Sequence, residues 1–335
     1  MNALAFLAGS GFAGRQSALN PAGPQAGRIE DLWWLMFWVC TAVFVLVMLF
    51  FIAGMVRGRR ARKERGVEAP MSVEPGVERR MMRTIVAAVA ATVITLFGLL
   101  VASVATGRSI SPLRVPEDAL TVKVIGHQWW WDFEYQHPEP YRIIRSPNEL
   151  HIPVGQPVRI LTTSADVIHS FWVPNLHGKL DLIPGRTADT WIQADRPGVY
   201  RGQCAEFCGH QHAHMGFLVI AEPPERFAAW WERQRQPAPE PATPLQQRGR
   251  QVFLSQACPL CHTIQGTDAG SRVGPDLTHL ASRRTLAAGT LPNTRGHLGG
   301  WIADPQSTKP GNLMPPNPMK SEDLQALLAY LESLR

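Results

Sequence analysis

The chain has 335 residues, 45% of them hydrophobic, with 28 Gly, 28 Pro and only five Cys. At about 100–200 residues per domain this length holds two or three units; the apolar share excludes a mainly disordered chain, and five cysteines exclude a disulfide-stapled scaffold. The formal charge of +6 is not a nucleic-acid footprint, because residues 57–83 alone carry nine Lys and Arg against four Glu and the rest of the chain is close to balance.

Residues 1–31 form an N-terminal segment read as exported. Its stretch 4–14 is apolar without a cationic lead, which makes it signal-like, and Leu7-Ala8-Gly9-Ser10 has Ser where a lipoprotein cleavage site needs Cys. Two charge-free apolar runs follow, 32–56 and 84–106, of 25 and 23 residues. At about 1.5 Å rise per residue each can cross a hydrocarbon core of about 30 Å. Trp33, Trp34 and Trp38 supply an interfacial belt. The nine cations put the connecting loop 57–83 in the cytoplasm, so the N-terminus and everything from residue 107 onward face the periplasm or exterior. Cys40, in the middle of the first run, reads as a packing residue.

From 107 to 222 the pattern is β. Short runs rich in β-branched residues, such as Leu120-Thr-Val-Lys-Val, Val158-Arg-Ile-Leu-Thr and Gly216-Phe-Leu-Val-Ile, alternate with turn signals at Pro153-Val-Gly155, Pro184-Gly185 and Arg196-Pro-Gly198. This spacing predicts a Greek-key sandwich of about 100 residues. Residues 223–244 read as a short amphipathic helix and a semi-rigid proline-rich linker, 237–244. Residues 245–335 read as a helical domain, with one helix over 246–256 and a last helix opening at Ser321 and carrying Leu324, Leu327, Leu328 and Leu331 on one face.

Two constellations carry chemistry. The first is Cys204-Ala-Glu206-Phe-Cys208-Gly-His-Gln-His212-Ala-His-Met215, with His169 upstream. Two thiolates, two imidazoles and a thioether form a soft donor set that favours copper; zinc and a Cys204–Cys208 disulfide are the alternatives. The second is Cys258-Pro-Leu-Cys261-His262. In an exported protein it reads as covalent c-type haem attachment with His262 as an axial ligand, and a zinc knuckle is the competing reading. Met314, in Asn312-Leu-Met314-Pro315-Pro316, is the expected second axial ligand, with Met319 as its rival. His210 and His214 read as surface or supporting groups.

Taken with the two apolar runs, Gly126-His-Gln-Trp-Trp-Trp131, His169-Ser-Phe-Trp-Val-Pro174, Ile183-Pro-Gly-Arg186 and the Cys204–Met215 loop resemble subunit II of cytochrome c oxidase. The C-terminal haem motif with Gly274-Pro-Asp-Leu277 resembles the cytochrome c fused to that subunit in caa-type oxidases. The resemblance implies a multidomain membrane protein: a two-helix transmembrane hairpin, an all-β cupredoxin-like sandwich and an all-α class I cytochrome c domain. It also implies a dinuclear copper A centre, with Cys204 and Cys208 bridging, His169 and His212 binding one copper each, Met215 a weak axial ligand and the Glu206 carbonyl another. The Glu206 carboxylate would reach a magnesium shared with subunit I, and Trp129 would be the residue through which electrons are taken up. Glu78 could match a glutamate near a proton-channel mouth, although Arg79-Arg80-Met-Met departs from the family there.

The function implied is the electron-accepting subunit of a terminal oxidase of the bacterial inner membrane. Electrons would run from cytochrome c or another periplasmic donor through haem c to copper A, and on to subunit I, where oxygen reduction is coupled to proton translocation; subunit III would be a further partner. The proline-rich tether would keep the haem donor at high local concentration near the copper site. A stand-alone membrane-anchored carrier is the main rival. A nitrous oxide reductase-like enzyme would need a further multi-histidine cluster, and a quinol-oxidising relative would lack the copper ligands.

Overall fold

The computed structural model describes residues 16–65, 75–111 and 115–335. The signal-like stretch 4–14 lies outside them. The chain divides into two compact units, one of residues 28–111 and one that joins residues 112–335 to those preceding 28.

The first unit is helical. Helix α1 spans Pro24–Arg65 and α2 spans Pro75–Ser109, and both are long and apolar enough to cross a membrane. Their outward side chains are apolar and exposed, among them Phe50 and Ile94, as a lipid-facing surface requires. Cys40 is exposed on α1, among the outward side chains available to a neighbouring helix. The helices also outrun the predicted spans. The basic stretch 57–83 is not simply a loop: it is helical to Arg65 and again from Pro75. Arg, Lys, Glu and Ala are good helix formers and the backbone bonds continue past the hydrocarbon edge, while Pro75 sits at the first helical position, where its missing N–H costs nothing. Glu78 falls in the first turn of α2, where a carboxylate complements the helix dipole. At the other end of the pair the Arg28 guanidinium donates to the Ser109 carbonyl.

The second unit opens with a β-sandwich. One sheet has the order β3-β2-β1-β5-β8 and the other β4-β10-β9-β6-β7, where β1 is Thr121–His127, β2 Trp130–Tyr135, β3 Ile144–Pro147, β4 Glu149–Pro153, β5 Val158–Ser164, β6 His169–Trp172, β7 Leu180–Leu182, β8 Ala188–Ile192, β9 Gly198–Cys204 and β10 Gly216–Glu222. Burial alternates along β1 and β5, which fixes register, because a one-residue slip would turn Val122, Val124, Val158 and Ile160 to solvent. The parallel pairings β1–β5 and β4–β10 are the crossovers of the Greek key. An aromatic core of Trp131, Phe133, Phe171 and Phe217 fills the space between the sheets. Residues 20–22 line this sandwich: Ala22 donates to the Asn175 carbonyl (2.7 Å) and accepts from the Asp195 amide (2.7 Å).

Helix α3, Pro224–Gln234, lays Trp230 on His151 with ring centroids 4.2 Å apart. The chain then enters the haem-type domain: α4 Pro244–Ser255, β11 Thr285–Leu286, β12 Leu291–Pro292, α5 Arg295–Ala303, α6 Pro305–Thr308 and α7 Ser321–Leu331. Thr243 and Gln246 form a capping box at the start of α4. The short β11–β12 hairpin qualifies the all-α expectation. The proline-rich linker is not a free tether: the Ala238 amide donates to the Gln265 carbonyl (2.9 Å) and Glu240 pairs with Arg250. Fixed contacts on the domain it leads into replace the freely sampled volume of a flexible connector.

The two domains also meet directly. Glu149 on β4 is buried, and its Oε1 accepts the amides of Arg284 (2.6 Å) and Thr285 (3.3 Å). Burial pushes this carboxyl up from 4.5 to about 7, against the two amides and the nearby Arg283 and Arg284 cations. An acid with a raised folded-state pKa adds most stability when protonated in both states, and that contribution is lost as pH rises from about 4.5 to about 7. Glu149→Gln keeps an acceptor for both amides and cannot ionise. Its thermal stability, followed from about pH 5 to about pH 8 in the purified protein, should lose a pH-dependent component of up to about 3 kcal/mol. The variant should be the more stable of the two at the alkaline end.

Candidate metal centres

Strand β9 ends on Cys204, β6 begins on His169, and the loop 205–215 returns to β10, so three strand ends converge on one corner of the sandwich. Pairing of β6 with β9 sets Phe171 opposite Cys204, which is how a histidine 35 residues upstream arrives at the loop. The sulfurs of Cys204 and Cys208 are 3.7 Å apart. Around them lie His169 Nδ1 at 3.9 Å from Cys204 Sγ, the Glu206 carbonyl at 3.2 Å from the same sulfur, and His212 Nδ1 and Met215 Sδ at 3.6 and 3.8 Å from Cys208 Sγ. All six residues singled out in the sequence contribute an atom to this cluster. Both cysteines are free thiols, so the disulfide alternative is not what the fold holds.

The electrostatics fit a metal pair. The Cys208 thiol beside it draws Cys204 down to about 3, against burial and with help from His169, whereas Cys208 is pushed well up by Cys204 and by burial. Two such sulfurs ionise together only when cations lie between them. Met215 is fully buried, and a thioether and a carbonyl beyond two thiols and two imidazoles exceed a closed tetrahedral zinc set. The donor set therefore fits copper.

Sequence reasoning missed the groups that orient these donors. Asp166 Oδ1 lies 2.8 Å from His169 Nε2, leaving Nδ1 to face Cys204. Burial opposes a charge on His169, but the bonds to Asp166 and Cys204 prevail and its pKa is raised. Asp166 in turn accepts the Gln128 amide at 2.6 Å, and Gln128 Nε2 and Trp129 Nε1 both donate to the Cys208 carbonyl, at 2.8 and 2.9 Å. Trp129 is buried, at 8% exposure, so it is a wall of the site. Gly126 explains its own motif: a Cβ there would lie 2.7 Å from His169 Cδ2. Gly126→Ala should displace the imidazole and lower copper retention about 10-fold, the scale of a lost orienting contact, measured as copper per chain after dialysis against a chelator.

Among the described residues, the cation nearest the Glu206 carboxylate is Lys179. The carboxylate is half-exposed and lies 4.0 Å from the Lys179 ammonium.

In the haem-type domain a cavity of about 360 Å³ is lined by Cys258, Cys261, His262, Met314, Leu277 and Trp301 among others. His262 Nδ1 lies 2.8 Å from the Pro275 carbonyl, which fixes the tautomer and leaves Nε2 free to bind iron. A Cβ on Gly274 would lie 2.8 Å from His262 Cε1, so the glycine makes room for the ring. Met314 faces this cavity, its amide held by Asn312 Oδ1 (2.8 Å) and its carbonyl by Gln306 Nε2 (2.9 Å). Met319 packs instead against the apolar core. Thiols, imidazole and thioether on one apolar cavity fit a covalently attached c-type haem. Trp129 and Lys309 line the same cavity, so it borders both the haem motif and the tryptophan whose indole bonds to the Cys208 carbonyl.

Residues 137–222 match the family described as cytochrome C oxidase subunit II, periplasmic domain, and residues 246–335 match that described as cytochrome c. Cytochrome c oxidase subunit 2 of Alkalihalophilus pseudofirmus is 37% identical over 320 residues, covering 95% of this chain and 91% of that protein. The corresponding subunit 2 of Bacillus sp. (strain PS3) is 32% identical over 294 residues, covering 82% of this chain and 80% of that one. Among solved structures, the periplasmic domain of subunit II of cytochrome oxidase from Bradyrhizobium japonicum is 34% identical, with 36% of this chain and 96% of that chain covered and a TM-score of 0.34.

Proposed function

Because the chain belongs to the cytochrome c oxidase subunit II family and carries a cytochrome c domain, we propose that it is the subunit through which a haem-copper terminal oxidase takes up electrons. A periplasmic donor such as cytochrome c would deliver them to this chain, and subunit I would receive them for the reduction of oxygen to water coupled to proton translocation. Subunit III completes the assembly in the bacterial inner membrane, with the haem and copper domains on the periplasmic side.

The observation that carries the reading is the ring of three side-chain donors and one carbonyl around the two thiols, with the Cys208 carbonyl held by the same tryptophan that walls the haem cavity. Bound here, the copper pair and the haem each supply a one-electron redox centre. Cys204, Cys208, His169, His212, Met215 and the Glu206 carbonyl would together hold the copper pair. Asp166 holds the His169 ring at its outer nitrogen, and the β-scaffold fixes the other donors, so the ligand positions need little rearrangement when charge changes. Cys258 and Cys261 would hold the haem covalently, and His262 and Met314 would be its iron-binding side chains. Trp129 sits between the two sites with its indole N–H on the Cys208 carbonyl, a position suited to electron uptake by the copper loop. Magnesium at Glu206 would draw its remaining ligands from subunit I.

Electron paramagnetic resonance of the purified protein, with copper and haem quantified, tests the reading. Two coppers per chain, with hyperfine structure from one electron shared by both, and one covalent haem are expected. Zinc, or a single copper with a mononuclear signal, would overturn it.

A further inference from the structure

Lys309 occupies a place where lysines are rare. It lies between α6 and Met314, is 2% exposed, and none of its hydrogen-bond partners is a carboxylate. Its Nζ donates to the carbonyls of Trp129 (2.9 Å), His214 (2.9 Å) and Ala287 (3.2 Å). An ammonium has three N–H groups, and all three are used. Two of the acceptors belong to the copper domain, one beside the Cys208-bonded indole and one within the copper loop; the third belongs to the β11–β12 hairpin of the domain that carries Lys309.

That hairpin is shaped for the same contact. Ala287 and Ala288 both adopt positive φ, 51° and 56°, a conformation alanine avoids. The Ala287 carbonyl receives Lys309, and the Ala288 carbonyl receives the Gly216 amide at 2.9 Å, immediately after Met215. Gln211 Nε2, from the copper loop, donates to the Pro310 carbonyl at 2.9 Å, beside Lys309. The strained turn and the buried cation thus grip the copper loop from both sides of its return to β10.

We propose that Lys309 is the positioning residue that locks the haem domain onto the copper loop, so that electrons pass between the two sites within one fixed interface and not through repeated docking of a tethered domain. This rests on the electron-uptake reading above and deepens it. A donor whose place is fixed transfers at a rate set by distance, driving force and reorganisation and free of any docking step, whereas a tethered domain depends also on how often it finds its dock. Lys309→Met keeps the apolar stem and deletes the three N–H groups.

Two readouts test this on the purified full chain with copper and haem bound. The first is hydrogen exchange at the Gly216, Arg284 and Thr285 amides, which bond across the interface. They should be protected in the parent protein and lose protection about 10-fold or more in Lys309→Met, as local opening becomes easier. The second is the haem-to-copper electron-transfer rate after rapid reduction of the haem. It should be independent of solvent viscosity in the parent protein, and in Lys309→Met about 10- to 100-fold slower and viscosity-dependent, with copper resonance and haem spectrum unchanged. Wild-type exchange protection and rate in the variant would overturn the proposal. If the variant does not accumulate, the parent protein decides alone: a rate that falls with viscosity would also overturn it. Absence of the shared-electron copper signal would instead remove the underlying reading, so the two failures are distinguishable.

Discussion

Cys208→Ser is expected to abolish the two-copper signal and to slow electron flow from the haem domain to oxygen by more than about 100-fold, the largest functional effect of any single replacement in this chain. The reason is positional. Cys208 Sγ is the hub of the cluster, 3.7 Å from Cys204, 3.6 Å from His212 and 3.8 Å from Met215. A serine hydroxyl is close in size but is a hard donor that stays protonated at neutral pH, so it cannot act as a soft bridging anion. The protein itself should survive. Gln128 and Trp129 bond to the Cys208 carbonyl and not to its sulfur, so the loop keeps its anchors. Metal-free variant and metal-free parent should then agree in stability within about 1 kcal/mol. A Cys208→Ser protein that retains two coppers and wild-type transfer would show that the metals lie elsewhere. Cys208→Ser that fails to fold would contradict the anchoring of the loop through its backbone.

The contrast between the two metal motifs and their surroundings shows what a sequence makes legible. Cys204, Cys208, His212 and Met215 fall within twelve residues and Cys258, Cys261 and His262 within five, so local chain geometry brings them together and spacing alone reveals them. Lys309 acts through partners fixed by tertiary structure, and Asp166, only three residues before His169, through a turn that the spacing does not announce. Asp166 meets His169 because a turn precedes β6, and Lys309 meets Trp129 across 180 residues of chain. Nothing in their neighbourhoods distinguishes either from an ordinary surface charge. Strand positions and turns were legible from alternation and from Gly and Pro, as at Gly155 and Gly185, which take positive φ. The membrane helices were legible as spans but not in their ends, because hydropathy reports where lipid begins and not where backbone bonding stops. The linker was legible as semi-rigid from its prolines but not in its contacts with Gln265 and Arg250, which depend on the domain beyond it.

The largest structural effect is expected at Gly249, and its sign runs against helix propensity. Alanine in place of glycine inside a helix ordinarily stabilises by about 0.5–1 kcal/mol. Here α4 crosses α7 at that residue, and a Cβ would lie 2.0 Å from the Ala326 carbonyl oxygen, 2.7 Å from its carbon and 2.7 Å from Tyr330 Cβ. The obstacle is mainly backbone, which no rotamer change removes, so the helices must separate; overpacking of this kind costs about 1–3 kcal/mol or more. The separation is transmitted to the haem site, because Phe253 on α4 and Leu327 on α7 both line its cavity. Gly249→Ala should therefore destabilise the haem domain by about 2 kcal/mol or more. It should also weaken Met314 ligation while the thioether bonds to Cys258 and Cys261 persist, because covalent attachment does not depend on the helix crossing. Denaturant unfolding followed through the methionine–iron absorption band checks both parts. A variant as stable as the parent, or more so, would mean that α4 and α7 do not approach this closely. Separation without loss of the band would mean that the 305–316 segment holds Met314 independently of the helices.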